Sequence, residues 1–348
     1  ASPVLRVPVS HRAHQQLAPH ASAPDFARPD AKPKYAPDLG LEPVHMRLHL
    51  SPDVDARTLD ADVTITVQSR TGRTSVLRLD AVDFDDLDVS GPPEHPFSSH
   101  YTGDEVVITW AEAPGLDEQR TLTLRYTVRQ PLTGLVFCPR KDGDPQGAFV
   151  ATDNETERAR YWLACVDHPS IRPRLDIHLT VPAHMRALAN GAKVDELVHD
   201  DGTRTAHWQL DFPCPSYLVC FVAGELVEWD GGAHLNAEGL VPVACFAPAP
   251  YTEADLARTF GPTVQMLDWI TQKLDSTYPF PKYYQFAVPG IGGAMENISL
   301  VSWDARWVCD PLQHEELGWM LDLVNLHEMA HTWFGDAVVC RDFAHSWL

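Results

Sequence analysis

Two histidines and a glutamate stand close together in the run His327-Glu328-Met329-Ala330-His331. On an α-helix, residues four apart leave one face on successive turns, so both imidazoles can meet a single ion. Zinc accepts imidazole nitrogen at about 2.0–2.1 Å and, in catalytic sites, keeps one position open for water. His327 and His331 are therefore two of the three protein ligands such a site needs. Glu328 follows the first ligand directly, where its carboxylate reaches the water instead of the metal, as a general base must. The metal lowers that water's pKa toward about 7, and attack on a carbonyl follows. The bland alternative is a chance pentapeptide in a chain with 17 histidines. Its placement on an expected helix and a second motif some thirty residues upstream outweigh that reading.

A helix must carry these groups, and Leu317, Met320, Leu321 and Val324 have the spacing of one that runs into the motif. Upstream, Thr252 with Glu253 and Asp255 opens one helix whose apolar residues Leu256, Phe260, Val264, Leu267, Ile270 and Leu274 precede Tyr278-Pro279-Phe280-Pro281. Between the helices, residues 285–288, the glycine-rich turn 289–293 and residues 298–303 read as strand, loop and strand. The N-terminal half keeps a period of two. Val44, Met46, Leu48 and Leu50, then Leu59, Ala61, Val63, Ile65 and Val67, mark half-buried antiparallel strands, and the pattern returns at 106–110, 122–128, 175–181 and 206–212. The expected organisation is an extended arm over 1–38, an all-β domain over 39–231, and an α+β domain from 232, where the glycine pair Gly231-Gly232 marks the change.

At 348 residues the chain exceeds one ordinary core, which agrees with two domains. Its 27 Lys+Arg against 48 Asp+Glu give a net charge of -21, so a phosphate backbone or an anionic lipid surface is repelled and neither nucleic acid nor membrane is an expected partner. No apolar run approaches the length of a membrane span. Seven cysteines without a C-x-x-C pair read as reduced thiols, and no secretory signal is visible, which favours a cytoplasmic location.

Gly293-Ala294-Met295-Glu296-Asn297, followed by His327-Glu328-Met329-Ala330-His331-Thr332-Trp333-Phe334-Gly335-Asp336, resembles the zinc aminopeptidase family that includes aminopeptidase N and the leukotriene hydrolase. Weaker similarity extends through 44–67, 151–155, 165–169, 217–224 and 278–282. The resemblance implies an N-terminal β saddle and a thermolysin-like catalytic domain, with one zinc ion and peptide substrates bearing a free N-terminus. It assigns Glu296 to the substrate's α-amino group and Glu155 to a second acidic anchor. Met295 and Asn297 belong to the same substrate-binding segment, in which Gly293 and Ala294 leave backbone room for a paired peptide. Gly292 would widen the first side-chain pocket. Asp153 has no role in this reading.

The resemblance places the third zinc ligand, a glutamate, just past Leu348. The catalytic domain is thus expected to be truncated and the remaining C-terminal part of the enzyme to be a partner; His345 and Asp342 are weaker substitutes as ligands. The expected function is zinc-dependent removal of N-terminal residues from peptides. The alternatives are epoxide hydrolysis within the same family, which the Gly-Ala-Met-Glu-Asn form disfavours, and a catalytically silent fragment or scaffold acting through protein interaction.

Overall fold

The computed structural model describes residues 39 to 143, 145 to 237 and 239 to 345. The expected arm over 1–38 lies outside the described residues. Among these residues no helix is long and apolar enough to cross a membrane, and all seven cysteines are free.

Alternating side chains build a seven-stranded sheet in the order Ala192–Val198, Thr203–Leu210, Arg174–Pro182, Leu41–Asp53, Thr58–Ser69, Gln119–Arg129 and Phe84–Ser90. One face is apolar: Leu48, Leu59, Val63, Ile65, Leu124 and Leu179 are fully buried. The expected antiparallel pair 41–53 and 58–69 forms, but 41–53 also pairs in parallel with 174–182 across more than a hundred residues of chain. Two smaller sheets, one of three strands and one of four, complete the β-rich part.

The outer face of the large sheet carries a row of imidazoles. His49 lies opposite His178 and His178 opposite His207 in the ladders. The rings stack with centroids 4.4 Å and 4.0 Å apart. Burial, then the His207 and His49 rings, push the His178 pKa down to about 4.

The second half is a five-stranded mixed sheet ordered Leu226–Asn236, Gly239–Pro248, Tyr283–Val288, Leu300–Asp304 and Ala294–Met295. Three helices accompany it: α1 (Glu253–Phe260), α2 (Thr263–Leu274) and α3 (Pro311–Ala330). The glycine pair expected at the domain change lies inside the strand Leu226–Asn236. There it makes a bulge, with a register shift between Asp230 and Gly232 and φ +87° at Gly232. The change of sheet comes earlier, between Phe221–Gly224 and Leu226. The single helix expected from Thr252 is two, because Pro262 has no N–H for the carbonyl of Arg258 and the chain breaks at Gly261-Pro262. Thr252 does close a capping box with Asp255.

One bracket joins the two halves next to the glycine-rich motif. Lys282 is buried, and its Nζ donates to Ala189 O (2.8 Å), Gly191 O (2.5 Å) and Ser299 Oγ (3.1 Å). It also lies 4.7 Å from the Trp208 ring centroid. Asn190 donates to Leu218 O (3.0 Å) and Ile298 O (2.8 Å), and Gly191 N donates to Ser299 Oγ (2.8 Å). The turn 189–191 of the β-rich half is thus tied directly to residues 298–299.

Candidate metal and substrate site

Helix α3 starts on a capping box between Asp310 and Gln313, with Pro311 in its first turn. It buries Gly318, Leu321, Asn325, Glu328 and Met329, so the face that packs inward also turns Glu328 inward. The helix ends at His331, whose backbone is still helical (φ −58°, ψ −24°), so the four-residue spacing keeps its geometry. His327 Nε2 and His331 Nε2 are 3.2 Å apart, and the rings stand nearly perpendicular.

His331 Nδ1 lies 2.9 Å from the Phe334 carbonyl oxygen. A carbonyl can only accept, so Nδ1 carries the hydrogen and Nε2 presents a lone pair. The His331 lone pair is thus on the nitrogen that lies 3.2 Å from His327 Nε2. Ligand atoms of Glu296, Glu328 and His331 all lie within 4.8 Å of one another. Two imidazoles with nearby carboxylates form a donor set that fits a small divalent cation of borderline softness.

The second motif arrives on a sheet edge. Ala294–Met295 pairs antiparallel with Leu300–Asp304, and the Asp304 N–H donates to Gly293 O (2.6 Å). Met295 and Asn297 are buried, and Asn297 Nδ2 donates to Ser302 Oγ (3.1 Å), which closes the turn from within. Glu296 is left facing His331, its Oε1 3.7 Å from Nδ1. A Cβ on Gly293 or Gly292 would meet no atom within 4 Å, so the backbone there is open to an approaching chain.

Glu155 follows the strand Phe149–Asp153 of the β-rich half. The neighbouring Asn154 anchors it, donating to Val219 O (2.6 Å) and accepting from Trp162 Nε1 (2.9 Å). Burial first, and then the Glu296 charge, raise the pKa of Glu155. Asp153, which had no role on sequence grounds, forms a two-bond ion pair with Arg158 (2.8 and 2.9 Å), and Arg158 Nε donates to Glu155 O (2.5 Å). Asp153 thus holds the arginine that holds the Glu155 backbone.

The site concentrates negative charge. Burial, then Glu296 and Glu155, push Glu328 up to about 8. Asp336 is fully buried, one carboxylate oxygen has no hydrogen-bond partner among the described residues, and its pKa is raised by burial and by Glu296 and Glu328. The buried Tyr283 hydroxyl is likewise unpartnered, and Glu328 and Asp336 both act to raise its pKa after burial itself. Tyr217 donates to Gly335 O (3.2 Å). Sequence reasoning included Gly335 and Asp336 in a motif without giving them work. A Cβ at Gly335 would stand 2.9 Å from His331 Nδ1 and 3.5 Å from Glu296 Oε1, at φ +151°. Tyr217 opens the similar segment 217–224 but had no role assigned, and Tyr283 had no signal beyond being aromatic. His345 and Asp342 are not in the cluster of ligand atoms found among the described residues; the side chain of His345 lies outside them.

A helix with paired imidazoles, a sheet-edge acidic turn and an acidic group supplied by a β-rich half define a metallopeptidase-type architecture. The chain belongs to peptidase family M1: the Peptidase M1 N-terminal domain matches residues 42–218 and the Peptidase family M1 domain matches residues 258–348. It is 28% identical to a puromycin-sensitive aminopeptidase of Caenorhabditis elegans over 88% of this chain and 33% of that protein. It is 25% identical to the human glutamyl aminopeptidase over 90% of this chain and 34% of that protein. The chain therefore spans about a third of the length of these curated relatives. The solved M1 zinc metallopeptidase from Deinococcus radiodurans shares the fold, with a TM-score of 0.69 at 24% identity, covering 88% of this chain and 68% of that one.

Proposed function

We propose that this chain carries the metal- and amino-terminus-binding part of a zinc-dependent aminopeptidase that removes N-terminal residues from peptides. The observation that carries the reading is the pair of Nε2 atoms 3.2 Å apart, with the carboxylates of Glu296 and Glu328 grouped around His331. His327 and His331 would hold the zinc. When bound, zinc supplies Lewis acidity, which lowers the pKa of water and polarises a carbonyl.

Glu328 is the proton acceptor and donor of this scheme. Its pKa, raised to about 8, lies near neutrality, where a carboxyl group can both take and return a proton. Glu296 and Glu155 recognise the substrate's ammonium group, which meets otherwise repelling carboxylates and relieves them. The edge strand Ala294–Met295 offers backbone pairing to the peptide, with Gly293 leaving the approach open. Met295 and Asn297, being buried, serve this segment by holding its turn.

In the same reading, the β-rich half up to about residue 225 acts as a substrate-end wall and the half beyond it as the catalytic domain. The remaining C-terminal part of the enzyme would bring the third ligand. Exposed Trp319 and Leu323 of α3, with Phe334 and Val338 after it, suit cover by further chain. A cytoplasmic setting suits the free thiols.

The test is kinetic. In the active enzyme, chelation should abolish cleavage of aminoacyl anilides, and Glu328→Gln should retain zinc while kcat falls roughly 10²- to 10⁴-fold. N-acetylated substrates should resist cleavage; brisk turnover of acetylated peptides would remove the amino-terminus assignment of Glu296 and Glu155.

A further inference from the structure

A second constellation of metal-binding residue types lies on the outer face of the seven-stranded sheet. We propose that Asp176, His178 and His207 form a metal site that takes a divalent transition-metal ion of borderline softness, separate from the paired histidines of α3.

The sheet itself assembles this site. Asp176 and His178 are two residues apart on the strand Arg174–Pro182 and so share a face, and His207 stands directly opposite His178 on Thr203–Leu210. Register therefore fixes the three side chains, with no loop involved. One ligand atom from each lies within 4.8 Å of the other two. Donors around a tetrahedral ion with bonds of about 2.0–2.2 Å sit roughly 3.3–3.6 Å apart. A metal lies in the plane of each ligating ring, and the His178 and His207 rings are stacked 15° from parallel, so binding turns one ring out of the stack.

His207 Nε2–H donates to Asp176 Oδ1 at 2.7 Å. An incoming ion takes the place of that proton, which leaves to solvent, and is held by the carboxylate oxygen and the freed nitrogen lone pair. The other ring nitrogen, His207 Nδ1, faces Asp195 Oδ2 at 3.7 Å, the outer carboxylate that orients a ligating imidazole. Asp176 Oδ2 is turned away toward Arg47 (3.5 Å) and His45 (3.9 Å), which leaves Oδ1 for the metal.

His178 supplies the second imidazole of the site. It is half-buried between two parallel rings, and neither ring nitrogen has a hydrogen-bond partner among the described residues. With no protein partner to displace, both nitrogens are open to water and to an incoming ion. His49, exposed on the far side of His178, completes the row and can supply a further nitrogen. Two imidazoles and one carboxylate favour zinc, nickel or copper over calcium or magnesium.

The experiment uses the full 348-residue chain. With His327→Ala and His331→Ala in place, calorimetric titration with Zn²⁺ should still show one bound equivalent. Adding His178→Thr and His207→Thr should weaken it by more than the roughly 10–100-fold that loss of an outer partner costs. Threonine suits a strand, so unchanged far-UV circular dichroism and urea midpoint verify the fold. In the otherwise unchanged chain, the same threonine pair should lower the zinc stoichiometry by one. Cu²⁺ loaded into the site should show imidazole nitrogen couplings by electron paramagnetic resonance, lost with the pair. Absence of the equivalent when the α3 histidines are removed overturns the proposal. Its survival of the threonine pair, as binding to the N-terminal His11, His14 or His20 would produce, overturns it equally.

Discussion

Two buried charge clusters, about equally withdrawn from water, are solved in opposite ways. At the seam between the halves, the Lys282 ammonium meets two carbonyls, a hydroxyl and an aromatic face, so every N–H has a neutral acceptor. At the end of α3, Glu328 and Asp336 are buried close to Glu296, and one Asp336 oxygen has no partner among the described residues. The seam is electrostatically closed and does structural work. The acidic site is left with an excess of negative charge, which a metal ion and a substrate ammonium can relieve. A buried charge with complete hydrogen bonding needs nothing further, whereas several buried charges of one sign call for a ligand of the other.

Substitutions should therefore change stability in opposite directions in the two places. The largest effect is expected at the seam. Lys282→Met strands two buried carbonyls and Ser299, and urea unfolding should show a loss of about 3 kcal/mol. A neutral or stabilising result would break the contrast, because the seam would then carry the same unresolved cost as the site. The pH dependence sharpens it. Burial lowers the folded-state pKa of Lys282 well below 10.5, so the unfolded chain binds more protons between the two values. Stability of the parent relative to Lys282→Met should then rise with pH through that window and be level below it, as paired urea series would measure.

A smaller effect is expected where backbone and ligand touch. Gly335→Ala puts a methyl group against His331 Nδ1 and asks alanine for a left-handed φ. Zinc affinity of the chain should fall roughly 10-fold, comparable to loss of an outer partner of a ligating histidine, with little change in helix content. Unaltered affinity would mean that the His331 orientation does not depend on the Phe334–Gly335 turn. The smallest effect has the opposite sign to that at the seam: in the metal-free chain, Glu328→Gln removes a buried acid from among like charges and should raise stability by about 1 kcal/mol. Destabilisation there would show that the carboxylates are compensated after all.

The chemistry of α3 was legible early because its information is local. The apolar spacing of Leu317, Met320, Leu321 and Val324 marks the helix, and four residues of spacing give His327 and His331 a shared face. The Ala294–Asn297 turn was legible as a motif, yet the inward burial of Met295 and Asn297 was not, since only their packing against Leu300–Asp304 separates the supporting side chains from Glu296. The Lys282 bracket could not be read, because its acceptors come from residues about ninety positions earlier. The sheet histidines were equally hidden: His49, His178 and His207 line up only once a parallel pairing and an antiparallel one set their registers.

Neighbours along the chain are enough to settle the period-two strands, the helix caps and the paired imidazoles with their glutamate. Only the folded chain settles which acids are buried together, which cation is closed off by carbonyls, and which histidines stack. The physical reason is that periodicity selects a face without selecting a partner. Burial and charge coupling depend on register, where a shift of one residue would turn every side chain to the other side of the sheet.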